Sequence, residues 1–335
     1  MSERGTELAG ISIAVLDDYL HIAEEAADWS LLGDVRIDFY HDTLIEPQAI
    51  IERLKPYQAL VTTRERTRFP AQVLQGLPNL QLIAGTGRRQ SNVDLPAATG
   101  LGIVVCVTGA TGGRGDSTAE LCWGLILGVT RHLAWEDRQM RAGNWQTRPA
   151  EGLGGKTLGI LGLGRLGTTV AGYGRHFDMD VIAWGPTLDA ERAATHGVTY
   201  VSWDELFRCS DILSIHVPLT DMSRGWITRR ELALMKPTAF LVNTARGPIV
   251  DESALIDALR NGTIAGAALD VYDMEPLPAD HPLLQLNNVL LSPHLGYATT
   301  STINAFLAHS VENLQAWLAG TPQNVLNPEA LPERR

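Results

Sequence analysis

From Thr157 to Phe177 the chain reads TLGILGLGRLGTTVAGYGRHF. An apolar, strand-like run leads into Gly162, Gly164 and Gly167 in the order G-x-G-x-x-G, and Leu166, Val170, Tyr173 and Phe177 follow at helical spacing. Few folds accommodate that order, because a strand has to turn tightly into a helix whose first turn stays uncovered. Gly162 permits the turn, Gly164 lets the backbone approach a pyrophosphate, and Gly167 allows the helix to pack closely on the strand. The helix N-terminus then offers unpaired N–H groups and the positive end of its dipole to phosphates. The spacing predicts a dinucleotide-binding βαβ unit with Arg165 and Leu166 in its phosphate loop; a glycine-rich turn without a ligand is the alternative.

The surrounding pattern fits a parallel sheet. Up to about residue 108, the strand-like runs ISIAVL, VRIDFY, ALVTT, LQLIAG and GIVVCV alternate with helical segments such as PQAIIERL and PAQVLQGL. After residue 150 a second series, TLGILGLG, DVIAWG, ILSIHVP, AFLVNTARG, GAALDVY and NVLLSPHLG, reads as six strands, the number a complete dinucleotide-binding sheet uses. Between them, STAELCWGLILGVTRHL reads as a helix capped by Ser117 and Thr118, with Glu120 and Leu121 in its first turn. Its all-round apolar character suggests burial between domains or subunits. At 335 residues the chain suits two domains. The fold class expected is α/β: two doubly wound parallel-sheet domains, the second of them a Rossmann dinucleotide domain.

A formal net charge of -11 argues against nucleic acid or an anionic membrane as partner, because the overall field repels polyanions. Cys106, Cys122 and Cys209 are widely spaced with no C-x-x-C pair, so neither a disulfide framework nor a metal site is expected. They read as buried thiols of a reducing compartment. The N-terminus MSERGTELAG lacks the apolar stretch of a secretory leader, and the longest apolar run, LCWGLILGV, is about half a membrane span. A cytoplasmic protein is expected.

Four polar residues stand at the ends of the later apolar runs: Arg246 in FLVNTARGPIVD, Asp270 and Glu275 in AALDVYDMEP, and His294 in LLSPHLG. In an open α/β sheet the carboxyl ends of consecutive strands share one crevice, so these side chains converge if the runs are neighbouring parallel strands. The strand after the glycine loop, DVIAWGPTLDAER, has Gly185 where an acid for the ribose hydroxyls is expected. Asp189 could stand in for that acid from the loop, and no Arg or Lys follows at once to hold a 2′-phosphate, the nearest being Arg192. The choice between NAD and NADP stays open, with NAD favoured.

The motifs GLGRLG, HVPLT, LMKPTAFLVNTARGPIVDESAL, GAALDVYDMEP and LLSPHLG, together with NVDLPAATGLGIVV upstream, closely resemble the D-isomer-specific 2-hydroxyacid dehydrogenases. The resemblance implies hydride transfer between NAD, or NADP, and a small-molecule 2-keto or 2-hydroxy acid. Arg246 would hold the substrate carboxylate and polarise its carbonyl, as a planar guanidinium suits. His294 would be the acid/base on the 2-hydroxyl and Glu275 its carboxylate partner, favouring the imidazolium. Gly162, Gly164, Arg165, Leu166, Gly167, Gly185, Pro218, Thr244, Ala245 and Asp270 would line the cofactor, with Asp270 near the nicotinamide carboxamide. Residues 1–108 and 298–335 would form a flavodoxin-like substrate-binding domain and 109–297 the Rossmann dinucleotide domain, with a cleft between them that closes on ligand.

On the substrate side the resemblance points to Arg64, Gly87 and Arg88. The segment AGTGRRQSNVDL carries Arg88 and Arg89 where the family more often has small apolar residues, and Arg64 and Arg66 in VTTRERTRF resemble the paired arginines of phosphoglycerate dehydrogenases. Such a cluster suits a second anionic group; surface ion pairing is the alternative. Tyr297, where many members have glycine, would narrow the pocket mouth. His216 reads as structural and His281 as a solvated loop residue. No appended regulatory domain is expected after the last helix. Phosphoglycerate-like, glyoxylate and hydroxypyruvate substrates are the options within the family; a formate dehydrogenase fits less well, and a cofactor-sensing corepressor is the alternative of another class. A homodimer is expected, because the apolar LCWGLILGV helix needs a partner surface.

Overall fold

The structure, a computed structural model, describes residues 10–109 and 116–331. The extreme N-terminus read for a leader, and the segment just beyond residue 109 where one domain was expected to give way to the next, lie outside the described residues. The chain divides into two compact units, Met1–Gly113 with Thr299–Arg335, and Arg114–Ala298.

In the first unit five strands, β1 (Ser12–Val15), β2 (Arg36–Phe39), β3 (Ala59–Thr62), β4 (Leu82–Gly85) and β5 (Val104–Val107), form one all-parallel sheet in the order β2-β1-β3-β4-β5. This is the flavodoxin-like order, with its switch point between β1 and β3. Strands buried on both faces read as continuous apolar runs, as ALVT in β3 and LIAG in β4 do. One face packs against the C-terminal helix Thr300–Leu318, through Leu307, Val311 and Leu314. Asn327 then follows β5, its side chain accepting the N–H of Val105 at 2.8 Å and donating to the carbonyl of Ile103 at 2.8 Å. The tail therefore satisfies the open edge of β5.

The second unit has seven strands: β6 (Thr157–Leu161), β7 (Asp180–Trp184), β8 (Thr199–Tyr200), β9 (Ile212–Ile215), β10 (Phe240–Asn243), β11 (Gly266–Leu269) and β12 (Val289–Leu291). All pair parallel, in the order β12-β11-β10-β9-β6-β7-β8. The six strands read from the sequence are present, and a seventh, β8, is added at the edge. Its two residues are both exposed, so it carries no apolar signal. The switch point lies between β6 and β9, which places the glycine loop and the segment after His216 side by side.

Three expectations need correction. The helix Ser117–Thr130 starts at an Asp116 N-cap, and Ser117 and Thr118 do not cap it; their hydroxyls donate to the carbonyl of Gly296 at 3.0 and 2.9 Å. Its apolar residues, Ala119, Cys122, Leu125, Ile126 and Val129 among them, are buried in the core of their own unit, so its composition does not require a partner surface. Cys106 and Cys122 are buried, but Cys209, at the end of the helix Trp203–Cys209, is exposed.

Candidate active site

The glycine loop has the geometry its sequence demands. Gly162 adopts φ 99°, a left-handed value that only glycine takes without strain, and its N–H donates to the carbonyl of Trp184 at 2.8 Å. A Cβ on Gly167 would stand 2.1 Å from the carbonyl oxygen of Gly162, so a side chain there would force the helix Arg165–His176 off β6. Above Gly164 the space is open: a Cβ there would meet nothing within 4 Å. No side chain caps this helix, and the first of its amides to close a helical bond is that of Thr168, which donates to Gly164. The N–H groups of Arg165, Leu166 and Gly167 thus remain as donors, which fits a dinucleotide pyrophosphate. The Arg165 guanidinium pairs with Asp116.

Along the sheet, β9, β10, β11 and β12 are neighbours, so their carboxyl ends present Pro218, Thr244 to Arg246, Asp270 and His294 in a row. Pro218 is exposed and its carbonyl accepts the Ser223 hydroxyl at 2.7 Å; Thr244 is buried. Asn243 shapes the turn after β10, accepting the N–H of Ala245 at 3.0 Å and donating to the carbonyl of Arg246 at 3.0 Å. The Arg246 guanidinium donates to the carbonyl of Ala245 at 2.6 Å. Glu275 and His294 pair directly, with Nδ1 2.6 Å from Oε2. The other oxygen of Glu275 accepts the N–H of Tyr272 at 3.0 Å. Burial alone would raise the Glu275 pKa, but the hydrogen bond and charge of His294, the Tyr272 amide and the nearby charge of Arg246 outweigh it and hold the carboxyl below its usual range. Arg246, Glu275 and His294 are therefore brought together.

Asp270 has a more structural setting than the resemblance implies. Its carboxylate accepts the Ser292 hydroxyl, the N–H of Leu295 at 2.7 Å and the N–H of Gly296 at 2.9 Å. These bonds grip the turn that carries His294, whose φ of 54° is left-handed and unfavourable for a non-glycine residue by roughly 1–2 kcal/mol. Burial raises the Asp270 pKa against those three bonds and the charge of His294. Tyr272 completes the brace, its hydroxyl donating to the carbonyls of Leu269 at 3.1 Å and Ser292 at 2.9 Å. Tyr297 packs edge-on against His294, ring centroids 5.8 Å apart. Neither Tyr272 nor Ser292 stands out in the sequence; the only signal was their position next to charged strand-end residues.

The remaining histidines divide. His216, after β9, has Nε2 2.8 Å from the Ser214 hydroxyl, and burial pushes its pKa down to about 4. His281 is not the solvated residue expected: its Nε2 lies 3.0 Å from Glu252 and its Nδ1 accepts the N–H of Leu283 at 3.3 Å. Beside the glycine loop, a Cβ on Gly185 would meet only ordinary contacts, and Asp189, the acid considered for the ribose, accepts the N–H of Arg192 at 2.8 Å as the N-cap of the helix Ala190–Thr195.

In the first unit, Arg64 follows β3 with φ 56°, its N–H donating to the Thr86 hydroxyl at 2.8 Å. Its guanidinium lies over Gly87, where a Cβ would stand 2.0 Å from Nη1, so only glycine admits this arrangement. The N–H of Gly87 donates to the Thr108 hydroxyl at 2.8 Å. Arg88 and Arg89 are exposed and form no ion pair among the described residues. Arg66 donates to the carbonyl of Asp17 at 3.2 Å and covers the ring of Tyr19.

Among the described residues no group of three or more His, Cys, Asp and Glu side chains is placed to hold a metal, and no helix is long and apolar enough to cross a membrane. Residues 123–296 match the family model of the D-isomer specific 2-hydroxyacid dehydrogenase NAD binding domain. A glyoxylate reductase of Aeropyrum pernix is 41% identical over 86% of this chain and 88% of its own length. A D-3-phosphoglycerate dehydrogenase of Archaeoglobus fulgidus is 37% identical over 88% of this chain, which spans 56% of that protein. The crystal structure of a phosphoglycerate oxidoreductase from Vibrio cholerae O395 superposes with a TM-score of 0.85 at 36% identity, covering 92% of this chain and 98% of that one.

Proposed function

The chain belongs to the D-isomer-specific 2-hydroxyacid dehydrogenases, and from that membership we propose how its own residues reduce a 2-keto acid to the D-2-hydroxy acid. The single observation that carries the reading is the His294–Glu275 pair beside Arg246. Glu275 holds Nδ1 of His294, which leaves Nε2 as the nitrogen that gives its proton to the developing 2-alkoxide. The carboxylate of Glu275 stabilises the imidazolium before the transfer and fixes the ring's orientation. Arg246 binds the substrate carboxylate and polarises the carbonyl. The uncapped helix N-terminus after Gly164, with Gly162, Gly167, Arg165, Leu166, Gly185, Pro218, Thr244 and Ala245, would hold a nicotinamide dinucleotide, which would supply the hydride. Asp270 holds the His294 turn in place.

Arg64, Gly87 and Arg88 bind the acid's anionic groups. The exposed, unpaired Arg88 supports a substrate with a second carboxylate or a phosphate. A second reading, the smaller acids glyoxylate and hydroxypyruvate, is favoured by the Tyr297 ring packed against His294. The protein acts in the cytoplasm as a homodimer. Support for a dimer comes from the helix Leu133–Arg141, which has no buried residue and, with the loop after it, exposes Leu133, Met140 and Trp145. The test is steady-state oxidation of NADH and of NADPH against glyoxylate, hydroxypyruvate and phosphohydroxypyruvate, with His294→Ala as control. Turnover that disappears in the control is expected; cofactor binding with no turnover of any acid would favour a cofactor-sensing role instead.

A further inference from the structure

Gly185 directly follows β7, at the place where dinucleotide folds commonly put an acid on the adenosine ribose hydroxyls. Packing does not require glycine there. A Cβ would lie 3.5 Å from Leu188 Cβ, 3.7 Å from Gly162 Cα and 4.0 Å from Leu163 N, all ordinary contact distances. What the glycine removes is the negative charge. The first acid downstream, Asp189, has one carboxylate oxygen committed to capping the helix Ala190–Thr195, where it accepts the N–H of Arg192.

A cation takes the opposite position. The side chain of Arg192 turns back over the glycine loop, where Nη2 donates to the carbonyl of Leu163 at 3.1 Å and Nη1 approaches the carbonyl of Thr187 at 3.4 Å. Leu163 lies between the first two glycines of the loop, and Thr187 lies two residues after Gly185. Arg192 forms no ion pair with an acid among the described residues. Two backbone carbonyls therefore hold a guanidinium that has no acid within ion-pairing distance among the described residues, and its remaining N–H donors are available. A ribose diol would offer this group little, since it calls for an acceptor. A 2′-phosphate offers a dianion that a guanidinium binds with charge-assisted hydrogen bonds.

We propose that Gly185 and Arg192 select the 2′-phosphorylated dinucleotide, so that NADPH is the preferred reductant and Arg192 is the residue that recognises its phosphate. The proposal rests on the dehydrogenase reading of the glycine loop and goes beyond it in naming the cofactor. Binding, measured apart from turnover, tests it. Titration of the purified protein with NADPH and with NADH, read as quenching of tryptophan emission, uses Trp184, the residue before Gly185, as a neighbouring reporter. Wild-type protein should bind NADPH at least about tenfold more tightly than NADH. Arg192→Ala should weaken NADPH by about tenfold to a hundredfold and change NADH by less than about threefold, while Arg192→Lys recovers part of the loss. Gly185→Asp should reverse the preference. Equal or tighter binding of NADH by the wild type, or the same loss for both cofactors in Arg192→Ala, would overturn the proposal, the second outcome showing that Arg192 only braces the loop. Failure of both cofactors to bind would remove the dehydrogenase reading as well.

Discussion

Replacing Gly247 with alanine would press a methyl group onto the main chain of the segment after β11. The new Cβ would stand 2.1 Å from the carbonyl carbon of Tyr272, 2.3 Å from its oxygen and 2.6 Å from the N of Asp273. Backbone atoms cannot rotate aside, so the two segments must part by more than an ångström to reach ordinary contact distance. Arg246 sits on one side of that contact. On the other, Tyr272 donates its N–H to Glu275 at 3.0 Å, so the displacement passes to the carboxylate that holds His294. A misplacement of about 1 Å in catalytic geometry costs about a hundredfold in rate, and overpacking of this kind costs about 1–3 kcal/mol of stability. In a unit of this size each kcal/mol lowers Tm by about 2–4 °C. The assay compares kcat/KM for the preferred acid, cofactor dissociation constants and thermal unfolding in Gly247→Ala and wild-type protein. A loss of about a hundredfold in kcat/KM is expected, with Tm lower by several degrees and a smaller loss of cofactor binding, because the glycine loop lies at a different strand end while Thr244 and Ala245 lie beside the substitution. Wild-type kcat/KM in this variant would refute the claim that the contact positions Arg246 and Glu275.

Glu275→Gln keeps an acceptor for His294 Nδ1 but removes the charge, and since a charge-assisted bond is about twice as strong as a neutral one, kcat/KM should fall by about tenfold; a change under twofold in kinetic assays would count against the pair. Arg88→Glu should raise KM for an acid with two anionic groups by about tenfold or more while cofactor dissociation constants stay within about twofold, and equal losses would remove the substrate role. For His216 the sign follows from linkage. Its folded pKa of about 4 lies below the ordinary value of 6.5, so the unfolded chain binds more protons between those values and stability falls as pH drops from 6.5 toward 4, by up to about 3 kcal/mol. His216→Gln should lose less stability over that window in urea denaturation at pH 7 and pH 4.5; parallel losses would show that other groups carry the acid sensitivity.

The fold was legible in the sequence wherever burial imposes a period. Strands such as ALVT and LIAG are covered on both faces and so read as unbroken apolar runs, while β8, two exposed residues at a sheet edge, leaves no trace. The glycine loop was legible because each glycine answers a separate steric demand, visible in the close approach at Gly167 and the open space at Gly164. Co-location of Arg246, Asp270 and His294 was legible for a topological reason: β10, β11 and β12 are neighbours both in the chain and in the sheet. Ser117, Thr118, His281 and Cys209 were misread because their partners, or their exposure, are set by tertiary packing. No local pattern states that a helix-start hydroxyl reaches Gly296, 178 positions away from Thr118, in preference to its own first turn.

Asp270 shows where reading by position stops and geometry has to take over. A carboxylate at the end of a strand in a dinucleotide sheet reads as a ligand-facing group, and its position at the end of β11 is consistent with that. Yet its oxygens are directed at Ser292, Leu295 and Gly296, the residues on either side of the left-handed His294. A carboxylate is suited to this task because it is acceptor-only: an asparagine would have to turn its NH2 toward at least one of the two backbone N–H donors, leaving that donor unsatisfied at a cost of about 1–3 kcal/mol. That cost is comparable to the strain of a left-handed histidine, so the backbone conformation of His294 depends on the charge state of Asp270. The imidazole proposed to donate the proton and the acid beneath it are thus one mechanical unit, in which the backbone at His294 is held by a carboxylate that grips the two amides after it.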